Sequence, residues 1–312
     1  MKILLFVNTK QSFTKPNKLG GIEILNYELF LYLKKKYNVK LINSITQNIK
    51  KIHWDIVISS NDASVFDKIH AGRKILWLHN KLQIEKAIRK KQFFPIMFNK
   101  IETVFVSKYL EDNTSKIYNF KKRFIIPNFL PSIYTNIKFK KKYNYKKNIF
   151  VWSVQRSKGL EDIIDIWINK IHPLNLNCEL HVFKKNNNKK FLSNYNIYFH
   201  GKLPRNKLLN FYKKSAGMIC LGYDETFCLN AIEGMSMGLP VISLGETALK
   251  EIIINNKNGY KVNNLSKIHL KIIKFLKLSL KNKTKLSKSS ISFSSKYNFD
   301  KIVKKWNKLI LS

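Results

Sequence analysis

Two glutamates, Glu225 and Glu233, stand with seven residues between them in the stretch DETFCLNAIEGMSMGLPVIS, residues 224–243. The chain holds only 19 acidic residues, and neither of these two has a lysine close by in sequence. The preceding GMICLG (217–222) is a short apolar run of strand type, and Tyr223-Asp224-Glu225 forms a polar turn after it. Phe227, Leu229, Ile232 and Met235 then recur at helical spacing. A helix starting there leaves the backbone N–H groups of residues 226–229 without intrahelical acceptors, at the carboxyl end of a strand. Such a terminus carries roughly half a positive charge and binds phosphate. Ionised carboxylates only accept hydrogen bonds, so they suit hydroxyl groups. A nucleoside-diphosphate sugar has a use for each part: amides for the diphosphate, carboxylates for sugar and ribose hydroxyls. The competing reading is that Asp224 and Glu225 merely complement the helix dipole and that Glu233 faces solvent.

The elements that must position these groups alternate along the chain. Residues 1–8, 38–43, 55–60, 73–79, 103–107 and 123–128 have strand composition, and 21–36, 81–93 and 107–119 have helical spacing. A basic stretch without clear period, 132–148, serves as the connection. The pattern restarts with strands at 148–154, 178–183, 196–201, 217–222 and 239–244 and a helix at 159–171. Amphipathic helices at 267–280 and 296–311 close the chain. Strands alternating with helices imply parallel sheets. The expected fold is α/β, with two Rossmann-like domains, 1–146 and 147–312, whose sheets face across a cleft. The last helix, about 297–311, is a candidate to pack back on the first domain. Ligands in open α/β sheets bind beyond the carboxyl ends of the strands.

Composition bounds the function. A chain of 312 residues fits two domains. Its 45% hydrophobic and 13% aromatic content supports packed interiors and argues against disorder. No apolar run reaches the length of a membrane span, and MKILLFVNTK lacks the features of a secretory leader. Cys178, Cys220 and Cys228 have no metal-type spacing, which points to buried thiols in a reducing compartment. The formal charge is +39, yet only five of the 58 basic residues are arginine. Base readout in the major groove favours arginine forks, and the charge is spread over both halves, so nucleic acid is not the expected partner. Lysine excess reads either as solvated faces or as attraction to an anionic membrane surface. The stretch 82–100 sets Lys86, Arg89, Lys90 and Lys91 beside Phe93, Phe94, Ile96, Met97 and Phe98, which suits either a core helix kinked at Pro95 or insertion at such a surface.

Glu225, Phe227, Glu233, Met235, Gly238, Pro240, Val241 and Ile242 together resemble the signature of the retaining GT-B glycosyltransferases of family 4, the group 1 enzymes. Glu233-Gly234 stands where that family usually has Glu-Ala. NIYFHGKLPRNKLLNFYKKSAGMICLGYDETF resembles the run leading to the first glutamate, and GETALKEIIINNKNGYKV the segment after it. Gly20-Gly21 resembles the family's glycine-rich loop, His79 its strand-end histidine, and IPNFL (126–130) its turn before the connection. The resemblance implies a GT-B fold and transfer of a hexose-type sugar from a nucleotide donor to a saccharide or lipid-linked saccharide, with retention, in cell-surface polysaccharide synthesis. It assigns Glu225 to the donor sugar hydroxyls and Glu233 to the ribose. The amides of Thr226, Phe227, Cys228 and Leu229 would hold the diphosphate. Arg156 and Lys158 would neutralise the leaving phosphate, in a loop shorter than the family's. Lys202 and Leu203 would meet the base, Gly20 and Gly21 the donor phosphate, and His79 the reacting sugar. No Asp-x-Asp pair occurs, so no metal or other cofactor is expected. The expected location is cytoplasmic, with peripheral attachment to the inner face of the membrane as an option. The alternatives are a sugar-nucleotide epimerase of GT-B type and a basic nucleic-acid-binding protein.

Overall fold

The computed structural model describes residues 1–16, 19–135, 148–153, 159–185 and 189–312. It divides into two units, Met1–Pro131 with Phe299–Ser312, and Ser132–Asn298. Each is built on a six-stranded parallel sheet, as the alternation of strands and helices requires.

The first unit contains β1 (Lys2–Val7), β2 (Asn38–Ile42), β3 (Trp54–Ser60), β4 (Ala71–Leu78), β5 (Glu102–Phe105) and β6 (Lys122–Ile125). Their order is β2-β1-β3-β4-β5-β6. Leu5 on β1 lies opposite Leu41 on β2 and Ile58 on β3. Both faces of the sheet are covered, so Ile3–Val7 are buried without alternation. The chain leaves β1 towards β2 and returns on the other side for β3. The order therefore reverses between β1 and β3, the kind of position where open α/β sheets hold ligands.

The helix Phe299–Leu311 belongs to this unit. It buries Ile302, Val303, Trp306, Leu309 and Ile310. Trp306 is fully buried against Trp77, with ring centroids 4.7 Å apart. Arg73 secures the end of this helix: its Nη1 donates to the Ile310 carbonyl at 3.1 Å and its Nη2 to the Leu309 carbonyl at 2.9 Å. Those carbonyls lack intrahelical donors. The same guanidinium is paired with Glu102 at 2.8 Å.

Two expected helices of this unit are shorter in the structure. The stretch 81–93 holds the helix Ile84–Arg89, and a second helix, Phe93–Phe98, follows a break at Lys91 in the left-handed region, φ 54°. Pro95 causes no kink. It sits in the first turn of the second helix, where a missing N–H costs no hydrogen bond. The stretch 107–119 keeps only Lys108–Asp112, capped by Ser107, whose Oγ accepts from the Leu110 N–H at 3.0 Å. Asn113 and Thr114 turn their side chains back onto the Tyr109 and Leu110 carbonyls, at 2.8 and 2.7 Å, which competes with further helix.

The second unit contains β7 (Asn148–Trp152), β8 (Cys178–Val182), β9 (Ile197–Phe199), β10 (Gly217–Ile219), β11 (Val241–Leu244) and β12 (Gly259–Val262). The order is β12-β11-β10-β7-β8-β9. The reversal falls between β7 and β10, which pair through Gly217 with Phe150 and Met218 with Val151. The carboxyl end of β10 leads directly into the segment carrying Glu225. Within 132–148, Ser132–Thr135 forms a short helix of this unit with Tyr134 buried; residues 136–147 lie outside the described ones.

β12 and the helix Leu280–Ser294 are elements that the sequence reading does not place. β12 is a four-residue edge strand. The helix Leu280–Ser294, LKNKTKLSKSSISFS, has too few apolar residues to show a stripe. It buries Ser287, Ser290 and Ser294 instead and packs against the helix Leu229–Ser236. Small side chains allow the close approach. The expected helix 159–171 stays α-helical only over Leu160–Ile166 and widens over Trp167–Ile171.

Candidate functional site

The site grows from the carboxyl end of β10. Gly222, φ +85°, turns the chain sharply; a Cβ there would stand 2.5 Å from Leu249 Cδ1. Glu225 closes the turn by donating its N–H to the Gly222 carbonyl at 3.1 Å, and its own carbonyl accepts from the Ala248 N–H at 3.2 Å. Asp224 and Cys228 both occupy the left-handed region, φ 54° and 64°, which is uncommon for non-glycine residues and frequent at functional sites. Between them Thr226 and Phe227 are buried, Phe227 against Tyr297 with centroids 5.5 Å apart. Glu225 is half-buried.

The helix Leu229–Ser236 follows, with Cys228 as its cap residue. It begins two residues later than the apolar spacing suggests, because Phe227 belongs to the turn. The first-turn amides, from Leu229 onward, lie at the β7–β10 reversal. Asn230 fixes this end by donating from Nδ2 to the Ser153 carbonyl just after β7, at 2.9 Å. Gly234 sits where the helix crosses β10: a Cβ there would come within 2.6 Å of Met218 Cε. Met218 thus fills the space that an alanine methyl would take in the Glu-Ala form of the motif.

Glu233 does not face solvent. It is 1% exposed, and Arg205 Nε donates to its Oε1 at 3.3 Å. Arg205 opens the helix Arg205–Lys214, which follows β9. Burial pushes the Glu233 carboxyl up, opposed by the charge of Arg205 and by its hydrogen bond. The buried Tyr134 hydroxyl makes no hydrogen bond of good geometry to a described residue; burial and then the neighbouring Glu233 hold it well above the usual phenol range. Tyr212 completes the cluster, donating from its hydroxyl to Ser153 Oγ at 2.7 Å.

Glu225, Thr226, Phe227, Cys228, Leu229 and Glu233 are therefore brought together at one edge of the second unit. Lys202 is exposed and Leu203 half-buried, in the loop between β9 and Arg205. Arg156 and Lys158 lie outside the described residues. Gly20, Gly21 and His79 belong to the first unit. Gly20 caps the helix Gly21–Leu33 and donates its N–H to Gln11 Oε1 at 2.9 Å. His79, just beyond β4, packs its ring 4.5 Å from that of Trp77. Burial pushes its imidazole down to about 3, so it is neutral at ordinary pH. All three cysteines are buried free thiols. The sulfurs of Cys220 and Cys228 approach to 3.5 Å.

Arg205 and Tyr134 escape motif reasoning. A signal for Arg205 lies in composition. Where lysine covers the solvated faces, an arginine marks a need for its planar fork: Arg73 binds Glu102 and two carbonyls, Arg123 lies 3.5 Å from Glu111, and Arg205 holds Glu233.

Comparison with known proteins gives three findings. The family model described as glycosyl transferases group 1 matches residues 135–292. An uncharacterised glycosyltransferase of Methanocaldococcus jannaschii is 28% identical over 242 residues, 73% of this chain and 65% of that protein, so the match spans less than two thirds of the relative's length. Two solved structures share the fold. WaaG, a glycosyltransferase involved in lipopolysaccharide biosynthesis, has a TM-score of 0.72 at 12% identity, covering 99% of each chain. A variant of TarM from S. aureus, in complex with Fondaparinux, alpha-GlcNAc-glycerol and UDP, has a TM-score of 0.66 at 16% identity, covering 93% of this chain and 59% of that one. The two six-stranded parallel sheets are thus those of a GT-B glycosyltransferase fold.

Proposed function

The chain belongs to the group 1 glycosyl transferases, and on that premise we propose that it moves a hexose-type sugar from a nucleoside-diphosphate donor to a saccharide or lipid-linked saccharide, with retention, in cell-surface polysaccharide synthesis. The observation that carries this reading is the arrangement at the β7–β10 reversal, where Glu225 and Glu233 flank the amide-bearing start of the helix Leu229–Ser236. Negative charge grows on the diphosphate as the glycosidic bond to it breaks. First-turn amides meet that charge without reorganising, which is the main form of catalysis open to this reaction. Arg156 and Lys158 supply the balancing cations. Glu225 accepts hydrogen bonds from donor-sugar hydroxyls, and Glu233 those of the ribose, sharing its carboxylate with Arg205. UDP in the TarM complex makes a uridine donor the first to test. No step calls for a metal, because the cations and amides of the chain carry the charge.

A thermal-shift screen against nucleotide sugars tests this. One nucleotide family should stabilise the protein, and Glu225→Ala should weaken that shift. A screen in which no nucleotide sugar stabilises the protein refutes the reading. The anomeric configuration of the product, read by proton NMR, tests retention.

A second reading concerns attachment. Phe94 and Phe98 are 61% and 77% exposed, stacked on the helix Phe93–Phe98, and Ile88 with exposed Lys86, Arg89, Lys90 and Lys91 lies on the preceding segment. Apolar side chains rimmed by cations suit insertion at an anionic bilayer. No described helix is long and apolar enough to cross a membrane; the attachment proposed here is peripheral, through this exposed patch. Flotation with anionic liposomes at low salt is the test, and absence of binding disposes of it.

A further inference from the structure

The carboxyl ends of β3 and β4 hold a small hollow of about 60 Å³ that the transfer chemistry above does not use. We propose that it is an anion subsite taking the phosphate group of a phosphate-bearing acceptor; the word acceptor rests on the glycosyltransferase reading, while the phosphate site stands on its own geometry.

The walls carry Asn61, Asn80, Lys81, Lys86, Lys90 and Gln92, and among the described residues no acidic side chain lines them. Lys86 and Lys90 are one helical turn apart, the Lys90 N–H donating to the Lys86 carbonyl at 3.0 Å. Like charges at this spacing repel, and an anion between them removes the repulsion. Ala87, 1% exposed, anchors the helix so that this side turns to the hollow. Lys81 enters from the loop after β4, its ammonium 5.6 Å from the Tyr109 ring. Asn61 is held rigidly: its φ is 57°, and its Oδ1 accepts from the His79 and Asn80 amides at 2.7 and 3.1 Å. Its Nδ2 is left as the donor. Gln92, 5% exposed, also lines the wall. The Lys86 and Lys90 ammonium groups with Lys81 beside them, together with the amide donors, and with no carboxylate among the described lining residues, match a dianion with several acceptor oxygens. Position supports the same end: this is the ligand-bearing edge of the sheet, beside His79.

Phosphate could reach such a site on a soluble sugar or on a lipid, and the test separates the two. Because the chain carries a net charge of +39, generic attraction must be removed. Inorganic phosphate is titrated at constant ionic strength, binding being read by phosphorus NMR line broadening, in three proteins. These are the wild type, the double variant Lys86→Ala/Lys90→Ala, and a charge-matched control, Lys277→Ala/Lys281→Ala, at exposed positions of the other unit. Loss of charge-assisted bonds should weaken phosphate binding at least about tenfold in the first variant and leave the control like the wild type. Equal affinity in all three overturns the proposal. Binding of UDP, followed by thermal shift, should be the same in all three; its absence throughout would strike the donor assignment and leave the phosphate site intact. Vesicles of phosphatidylcholine with phosphatidic acid complete the experiment. Binding lost only in Lys86→Ala/Lys90→Ala assigns the phosphate to a lipid, and binding retained assigns it to a soluble sugar.

Discussion

Arg205→Met leaves Glu233 buried without its counter-charge. The Glu233 side chain is 2% exposed and that of Arg205 16%, so solvent replaces little of the lost interaction. Breaking such a pair from one side costs about 3–5 kcal/mol. Glu233 has one escape, which is to take up a proton. From an unfolded pKa near 4.3, that uptake costs about 3.7 kcal/mol at pH 7 and only about 1 kcal/mol at pH 5. Burial already holds the Glu233 carboxyl above its ordinary range, and the variant raises it further. A carboxyl whose folded pKa is raised leaves stability intact below its unfolded pKa and erodes it as pH climbs towards the folded value. The variant should therefore lose up to about 1 kcal/mol at pH 5 and up to about 3–4 kcal/mol at pH 7. Urea unfolding followed by circular dichroism between pH 5 and pH 7.5 reads the difference. Adding Glu233→Gln should recover most of the loss at pH 7, because no charge is then left stranded. A loss independent of pH, or a double variant as weak as Arg205→Met at pH 7, would refute the claim that Arg205 acts by holding Glu233 ionised.

Glu225→Gln keeps the shape and removes the charge, so kcat/KM should fall roughly 10- to 150-fold, the worth of a charge-assisted bond of about 1.5–3 kcal/mol, while the melting temperature stays put; unchanged kinetics would remove Glu225 from the site. His79, with its imidazole at about 3, gives stability that is whole above the unfolded pKa near 6.5 and falls by about 1.4 kcal/mol per pH unit below it. His79→Gln should flatten that slope, and an NMR titration placing the His79 imidazole near 6.5 would contradict its burial. Trp306→Ala should destabilise the first unit by about 3–5 kcal/mol in thermal or urea unfolding, since the indole is wholly enclosed against Trp77.

Local pattern was enough for much of this protein. Apolar runs bounded by polar turns place eleven of the twelve strands among the described residues, because a strand buried on both faces can be made only from such runs. The turn at Asp224-Glu225 and the helix behind it were legible for the same reason: helical spacing and a polar break are properties of adjacent residues. β12 and the helix Leu280–Ser294 were not, since an edge strand and a serine-lined helix owe their existence to what they pack against. The fate of Glu233 was also hidden. Sequence offered solvent or ligand; the chain excludes solvent and also brings Arg205 from 28 residues away and Tyr134 from the start of the unit.

The amino-acid order alone determined where most of the strands lie and that a helix starts behind the polar turn at Asp224-Glu225, because hydrophobic period and helix ends act over a few residues. Tertiary structure alone decided that Glu233 is buried beside Arg205 and Tyr134, and that Lys81, Lys86 and Lys90 converge on one hollow. Both depend on which strands are neighbours in a sheet, and that order is settled by the packing of the whole unit.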